Sequence, residues 1–225
     1  MANAIVLCSG GMDSVVASWK VQEDYDKKIV LFFDYGQRAV VGERASAKKC
    51  CEDIGGEFVE IKLPELGALS GSLINREGDV REMGHGDLKD TSEEGEKFYV
   101  PCRNTVFLVY ALALAESRFE ECDLIVGFKN EGKEHYPDTT KSFVSDFNKL
   151  AGSCNGKFKV VAPLHDMDKE DIVLLGKELG VSLKDTWSCY VSSSEKQCGK
   201  CLACALRRVG FRWANVEDET EYQTL

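Results

Sequence analysis

Ala4-Ile5-Val6-Leu7-Cys8-Ser9-Gly10-Gly11-Met12-Asp13-Ser14 is the stretch whose reading decides the fold. A short apolar run entering a glycine pair predicts a buried strand that ends in a tight turn. Asp13 and Ser14 then open Val15-Val16-Ala17-Ser18-Trp19, which reads as an amphipathic helix. Strand, small-residue loop and helix N-terminus together make an anion site, because loop amides point at the anion and the helix dipole favours negative charge. Gly10 and Gly11 let a phosphate approach the backbone. Ser9 and Ser14 add hydroxyl donors, and Asp13 is placed to hold Mg²⁺ beside a pyrophosphate. No Gly-Lys-Ser/Thr follows, so the loop is not a Walker A motif.

Outward from this loop, further apolar runs read as strands: Lys28 to Phe33, Phe58 to Ile61, Asp123 to Phe128 and Phe158 to Leu164. Helical spacing is expected over 39–54, with Ala45, Cys50 and Ile54 inward, then over Val106 to Ala115 and over Lys169 to Leu179 after an Asp168 cap. The expected architecture is α/β, a doubly wound parallel sheet whose ligands sit at the carboxyl ends of the strands. Asp34, Gln37 and Arg38, just past the second strand, are therefore placed to meet a nucleotide. Arg103 lies beside the start of a helix that Asn104 or Thr105 can cap, so two sources of positive potential add there. Residues 64–98 carry six glycines and no clear periodicity, and read as a lid, partner surface or disordered insertion.

The 225 residues suit one α/β domain with an appendage, and an apolar fraction of 44% supports a sizeable core. The net charge of −10 argues against a nucleic-acid partner, though a local positive potential suffices for ATP. No apolar run approaches a membrane span and no export signal is visible, so a cytoplasmic protein is expected. The 10 cysteines then read as thiols and metal ligands. Cys189, Cys198, Cys201 and Cys204 form C-x8-C-x2-C-x2-C, a spacing that lets tight turns present four thiolates to a tetrahedral Zn²⁺. An iron–sulfur cluster is the rival occupant. Division of the chain into residues 1–185 and a cysteine segment over 186–215 is expected, and the tail from Glu217 to Leu225 reads as loose.

These motifs carry a resemblance. Ser9-Gly10-Gly11-Met12-Asp13-Ser14 resembles the pyrophosphate loop of the ATP pyrophosphatase (PP-loop) superfamily. With Phe33-Asp34-Tyr35-Gly36-Gln37-Arg38, Val100-Pro101-Cys102-Arg103-Asn104-Thr105, Tyr136-Pro137-Asp138 and the cysteine signature, the chain resembles the 7-cyano-7-deazaguanine synthase (QueC-like) family. The resemblance implies an adenine nucleotide alpha hydrolase-like fold and an ATP-dependent carbon–nitrogen ligase acting on 7-carboxy-7-deazaguanine and ammonia. It implies ATP, Mg²⁺ and Zn²⁺, a structural role for the zinc, and a homodimer. Ser9, Gly10, Gly11, Asp13, Ser14, Asp34, Gln37, Arg38, Arg103 and Asn104 are expected at ATP, and Tyr136 and Asp138 at the deazaguanine. Asp13, Arg103 and Lys141 are the expected catalytic residues. Lys169 reads equally as a phosphate contact or a solvated helix start, and His135 and His165 as lining or loop residues.

The chain departs from the family pattern after Asp138, where Thr139-Thr140 stand in place of Cys-Arg. A Lys point charge at 141 does not hold a carboxylate as an Arg fork does. Three other readings keep the nucleotide site: a ligase of an anti-phage system that joins the activated acyl group to a partner protein's amine, a tRNA-modifying thiolase, and a nucleotide-sensing module without turnover.

Overall fold

The computed structural model describes residues 2–84, 87–88, 90–129 and 136–223. Its sheet has five parallel strands in the order β3-β2-β1-β4-β5. They are β1 (Asn3–Leu7), β2 (Lys27–Asp34), β3 (Glu57–Lys62), β4 (Glu121–Ile125) and β5 (Lys157–Val161). The order reverses between β1 and β4, and that switch point is where a doubly wound sheet opens a crevice. Main-chain pairing runs Ile5 to Ile29 on one side of β1 and Ile5 to Leu124 on the other.

Alternation along the central strands divides the core. Ala4, Val6, Val30 and Phe32 face α1 (Met12–Val21), α2 (Val40–Asp53) and α7 (Lys169–Glu178). Ile5, Ile29, Leu31 and Phe33 face α5 (Arg103–Arg118) and α6 (Lys141–Ala151). A strand's side chains alternate between faces, and both faces here are covered, so each strand reads as a continuous apolar run. On α2 the inward residues are Ala47, Cys50 and Cys51, with Ile54 just beyond; Ala45 is exposed, one turn position off the buried stripe.

Residues 64–98 are more organised than their composition suggested. They include α3 (Pro64–Leu69) and α4 (Ser92–Glu96), and Ile74, Met83 and Phe98 are buried in the main core. Local pairs replace periodicity: the Leu73 N–H donates to the Lys97 carbonyl at 2.8 Å, and that of Met83 to the Lys200 carbonyl at 3.0 Å.

The C-terminal segment packs into the same core. Cys189, Cys198, Cys201 and Cys204 join Phe98, Val100 and Leu108 in one apolar cluster, and α8 (Leu202–Trp213) follows. The tail is docked, not loose, over its described residues 217–223. Its Asp218 meets the fully buried guanidinium of Arg207, Tyr222 donates to Asp218 at 2.6 Å, and the Gln223 N–H donates to the Gln197 carbonyl at 2.8 Å. A buried arginine needs a carboxylate, and Asp218 supplies it. Among the described residues no helix is long and apolar enough to cross a membrane.

Candidate active site

A cavity of about 710 Å³ opens at the carboxyl ends of β1, β2 and β4, over the switch point. Its floor is the Ser9–Ser14 loop. Gly10 has φ +76°, and a Cβ there would stand 2.4 Å from the Glu43 carbonyl, so only glycine fits. Gly11 caps α1 without a side-chain hydrogen bond. The Ser14 hydroxyl turns inward and donates to the Gly11 carbonyl at 2.9 Å. Behind the loop, the Gly10 carbonyl accepts from the Ser46 hydroxyl at 2.7 Å and from the Trp187 N–H at 2.8 Å.

Cations enter from two other helices. Lys169, the first residue of α7, donates to both carboxylate oxygens of Asp13 at 2.7 and 2.8 Å. A capping box between Asp168 and Asp171 starts that helix and aims its first turn at the loop. Arg103 opens α5 and donates to the Tyr35 hydroxyl at 3.4 Å. Burial works against its charge, but Tyr35, Tyr190 and Asp138 outweigh that and leave its affinity for the proton raised.

The helix that carries Arg103 is capped from a distance. Cys102 precedes it with φ 55°, left-handed, and makes no side-chain cap. Instead the Asp138 carboxylate accepts the Asn104 N–H at 3.0 Å, and the Asn104 side chain donates to the Asp138 carbonyl at 3.3 Å. The expected cap by Asn104 or Thr105 is thus replaced by a residue on the other side of β4. Asp138 is buried and outside the described cavity lining, and its Oδ2 caps this helix.

The turn after β2 also sorts differently from expectation. Gln37 lines the cavity, but its amide is committed: it accepts the Tyr35 N–H at 2.8 Å and donates to the Phe33 carbonyl at 2.8 Å and to Glu43 at 2.9 Å. Asp34 pairs with Arg44 at 2.8 Å, and neither it nor Arg38 lines the cavity. Lys141 sits on an exposed helix start, pairs with Asp166 at the surface and lies outside the cavity lining. A solvated helix start is the reading that fits Lys141, and Lys169 occupies the position at the loop. His165 bonds the Thr139 carbonyl at 2.7 Å, and His135 lies outside the described residues.

The upper walls are aromatic. Phe33 and Phe107 stack at 4.1 Å, Tyr99 and Tyr136 stack at 5.4 Å, and the Tyr136 hydroxyl donates to the Gly95 carbonyl at 3.0 Å. Thr91, Ser92, Gly95 and Tyr99 of the 64–98 region and its exit therefore form one side of the cavity. Glu43, at the first turn of α2, is a further lining residue. Burial, opposed by the Gln37 hydrogen bond and by Arg103, pushes its carboxyl up to about 7.

Beside the cavity, four sulfurs of Cys189, Cys198, Cys201 and Cys204 lie within 4.8 Å of one another, all buried. The Cys198 and Cys204 sulfurs are 3.9 Å apart, close to the edge of about 3.8 Å that a tetrahedron with zinc–sulfur bonds of about 2.3 Å requires. Main-chain N–H groups of Ser192 and Cys201 donate to the sulfurs of Cys189 and Cys198 at 3.3 Å. Such bonds suit thiolates, so the donor set fits a closed four-thiolate Zn²⁺ site with no open position for chemistry.

Sequence reasoning missed Glu43 and Trp187 and left Lys169 open. Arg207 had a usable signal: it falls three residues after Cys204 on the buried face of α8. The Trp187 contact had none, because nothing local joins it to Gly10.

A glycine loop under two helix N-termini, with paired lysine and aspartate at its lip, defines a nucleotide-binding α/β enzyme of the PP-loop class that uses ATP. Residues 3–215 match the family model described as queuosine biosynthesis protein QueC, and the chain belongs to that family. It is 37% identical to the 7-cyano-7-deazaguanine synthase of Methanosphaera stadtmanae, covering 98% of both chains. It is 36% identical to that of Methanothermobacter thermautotrophicus, covering 98% of this chain and 99% of the relative. In fold it is similar to a predicted subunit of tRNA methyltransferase from Methanocaldococcus jannaschii, with a TM-score of 0.50, 13% identity and coverage of 97% and 91%. A 4-thiouridine synthetase in complex with RNA and ATP also gives a TM-score of 0.50, at 14% identity, covering 95% of this chain and 50% of that one. Those two likenesses are of fold alone.

Proposed function

We propose that the protein is a 7-cyano-7-deazaguanine synthase, converting 7-carboxy-7-deazaguanine, ammonia and ATP to the nitrile. The observation that carries the reading is the convergence of the Ser9–Ser14 loop, the Lys169–Asp13 pair and Arg103 in one aromatic-walled cavity. Its volume of about 710 Å³ lies within the range of about 300–1,000 Å³ usual for ligand sites.

The loop amides receive the β and γ phosphates, and Lys169 and Arg103 neutralise the negative charge that grows as pyrophosphate departs. Asp13, which Lys169 holds in this structure, would be the carboxylate to hold Mg²⁺, a hard cation suiting one carboxylate and phosphate oxygens, when the phosphates draw Lys169 to themselves. The ion would supply further charge neutralisation there. The substrate carboxylate attacks the α phosphate, ammonia displaces AMP to give the amide, and a second adenylation on the amide oxygen lets AMP leave as the nitrile forms. Ser9, Gly10, Gly11, Ser14 and Asn104 complete the nucleotide contacts, and Tyr136 with Tyr99 flanks the deazaguanine. Arg38 and Asp34 take no part in this scheme.

Mass spectrometry of a reaction with ATP, 7-carboxy-7-deazaguanine and ammonium tests it. A nitrile product with pyrophosphate release is expected. An amide or a stalled adenylate as the final species would overturn it.

A further inference from the structure

Glu43 holds a position that neither the phosphate chemistry nor the base site uses. It lines the cavity from α2, next to the loop: its own carbonyl is the atom a Cβ on Gly10 would strike. Among the described residues its carboxylate accepts one hydrogen bond, from the Gln37 amide at 2.9 Å. Gln37 is itself pinned by Phe33 and Tyr35, so the carboxylate is held by a rigid partner. The other described acids of the cavity lining differ. Asp13 spends both oxygens on Lys169, and Glu96 is exposed. Among the described residues Glu43 thus has a fixed carboxylate in the cavity wall with no salt bridge to a protein cation, Arg103 acting on it only from a distance, a setting that suits a small cationic ligand.

We propose that Glu43 is the ammonium site of the reaction: it binds the ammonium ion and takes its proton, releasing ammonia beside the acyl adenylate. The inference rests on the synthase reading and names how its nitrogen substrate is received. The carboxylate takes one proton from ammonium, and the freed lone pair forms the C–N bond. The C–O bond to AMP breaks, with its electron pair leaving on the phosphate. The surplus proton on the new amide nitrogen departs with AMP, and Glu43 returns its own proton to solvent.

The surroundings tune this role. Arg103 on α5 and the Gln37 bond lower the carboxyl's proton affinity, Asp34 at the end of β2 raises it, and burial raises it most, to about 7. Tyr35 also faces it and is itself held neutral by burial, its hydroxyl raised to about 12. From the cysteine segment, the Trp187 ring covers the neighbouring Gly42 and brings no charge. A base poised near neutrality is the efficient one at neutral pH.

The test compares two nucleophiles, ammonium chloride and hydroxylamine, which is largely unprotonated at neutral pH. In E43Q at about pH 7 the ammonium-derived product should fall by about tenfold or more relative to the hydroxamate. An unchanged ratio would overturn the assignment. A second measurement uses the unmodified enzyme. If Glu43 deprotonates ammonium, the KM for total ammonium is flat above about pH 7 and rises below it. If the KM instead falls by about tenfold per pH unit up to about pH 9, the enzyme simply captures free ammonia and the proposal is wrong. Absence of pyrophosphate release by the unmodified enzyme with 7-carboxy-7-deazaguanine, whichever nucleophile is present, marks failure of the synthase reading instead.

Discussion

The Trp187 N–H donates to the Gly10 carbonyl at 2.8 Å, so the phosphate loop is held from behind by the strand of chain that leads into Cys189. The Trp187 indole reinforces the contact. It covers Gly42, where a Cβ would stand 2.4 Å from the ring, and its Nε1 donates to the Cys189 carbonyl at 2.9 Å. The cysteine cluster therefore bears on the nucleotide loop through main chain and not only through the core.

Gly42→Ala forces the indole away and slackens the loop. We expect about a tenfold loss of ATP affinity, about 1.4 kcal/mol, by titration calorimetry. Gly71→Ala, at a site with nothing within 4 Å, is the control and should bind as the parent does. Equal affinities for the two variants would show that the indole does not support the loop.

Lys169 and Lys141 make a matched pair of tests. Lys169→Met leaves Asp13 without its partner and removes charge from the leaving pyrophosphate; pyrophosphate release should fall by about a hundredfold. Lys141→Ala breaks only an exposed pair, of a kind worth about 0–1 kcal/mol, and should stay within about twofold.

Arg207 is fully buried, lies 4.9 Å over the Phe211 ring, and donates to the Leu183 carbonyl at 2.7 Å and the Thr186 hydroxyl at 2.6 Å. Asp218→Ala leaves that charge without its carboxylate. A loss of about 3–5 kcal/mol is the usual cost of breaking a buried pair from one side, read here as a shift in the urea midpoint. Arg207→Met, which removes the charge with its demand, should cost less than Asp218→Ala.

Glu43 also sets a pH dependence of stability. Its carboxyl rises from 4.5 to about 7 on folding, so the protonated form is the one folding favours. The stabilisation is complete below the unfolded value and is lost as pH climbs through the folded one. Denaturation of the parent and E43Q across this window should show the parent losing ground as pH rises from about 4.5 to about 7, with no further divergence above. Parallel curves would place the carboxylate in water.

Cys201→Ser, or chelation at raised temperature, should unfold the C-terminal segment, measured as metal content and Tm together. Because Met83 bonds to Lys200 and the tail bonds to Gln197, loss should spread to the 64–98 wall and to residues 217–223. A metal-free variant with full Tm would refute the cage.

The sheet, the loop and the cysteine cluster were legible because each is written locally: apolar runs, a glycine pair, thiols at turn spacing. What was not legible depends on partners far apart in sequence. Asp138 carries the chemistry of a base acceptor, yet a helix N-terminus brought against it across the fold claims its carboxylate. Gln37 and Asp34 have the polarity of ligand contacts and are consumed by their own turn and by Arg44. Lys141 and Lys169 both begin helices, and only the course of the chain after β5 decides which one reaches the loop. The 64–98 region hid its order because its bonds are irregular local ones, main chain to main chain and side chain to main chain, as from Asn75 to the Tyr35 carbonyl and Arg76 to the Ser70 carbonyl, which leave no periodicity.

That region has a consequence for how the pocket can diversify. Its wall residues Thr91, Ser92, Gly95 and Tyr99 flank Lys97, bonded to Leu73, and the buried Phe98, while the proposed phosphate contacts belong to the loop after β1 and to α5 and α7. Exchanging side chains near Thr91 and Tyr99 rewrites what the chamber admits without disturbing the machinery that activates it. The same ATP-using scaffold is thereby open to new substrates through edits confined to one panel.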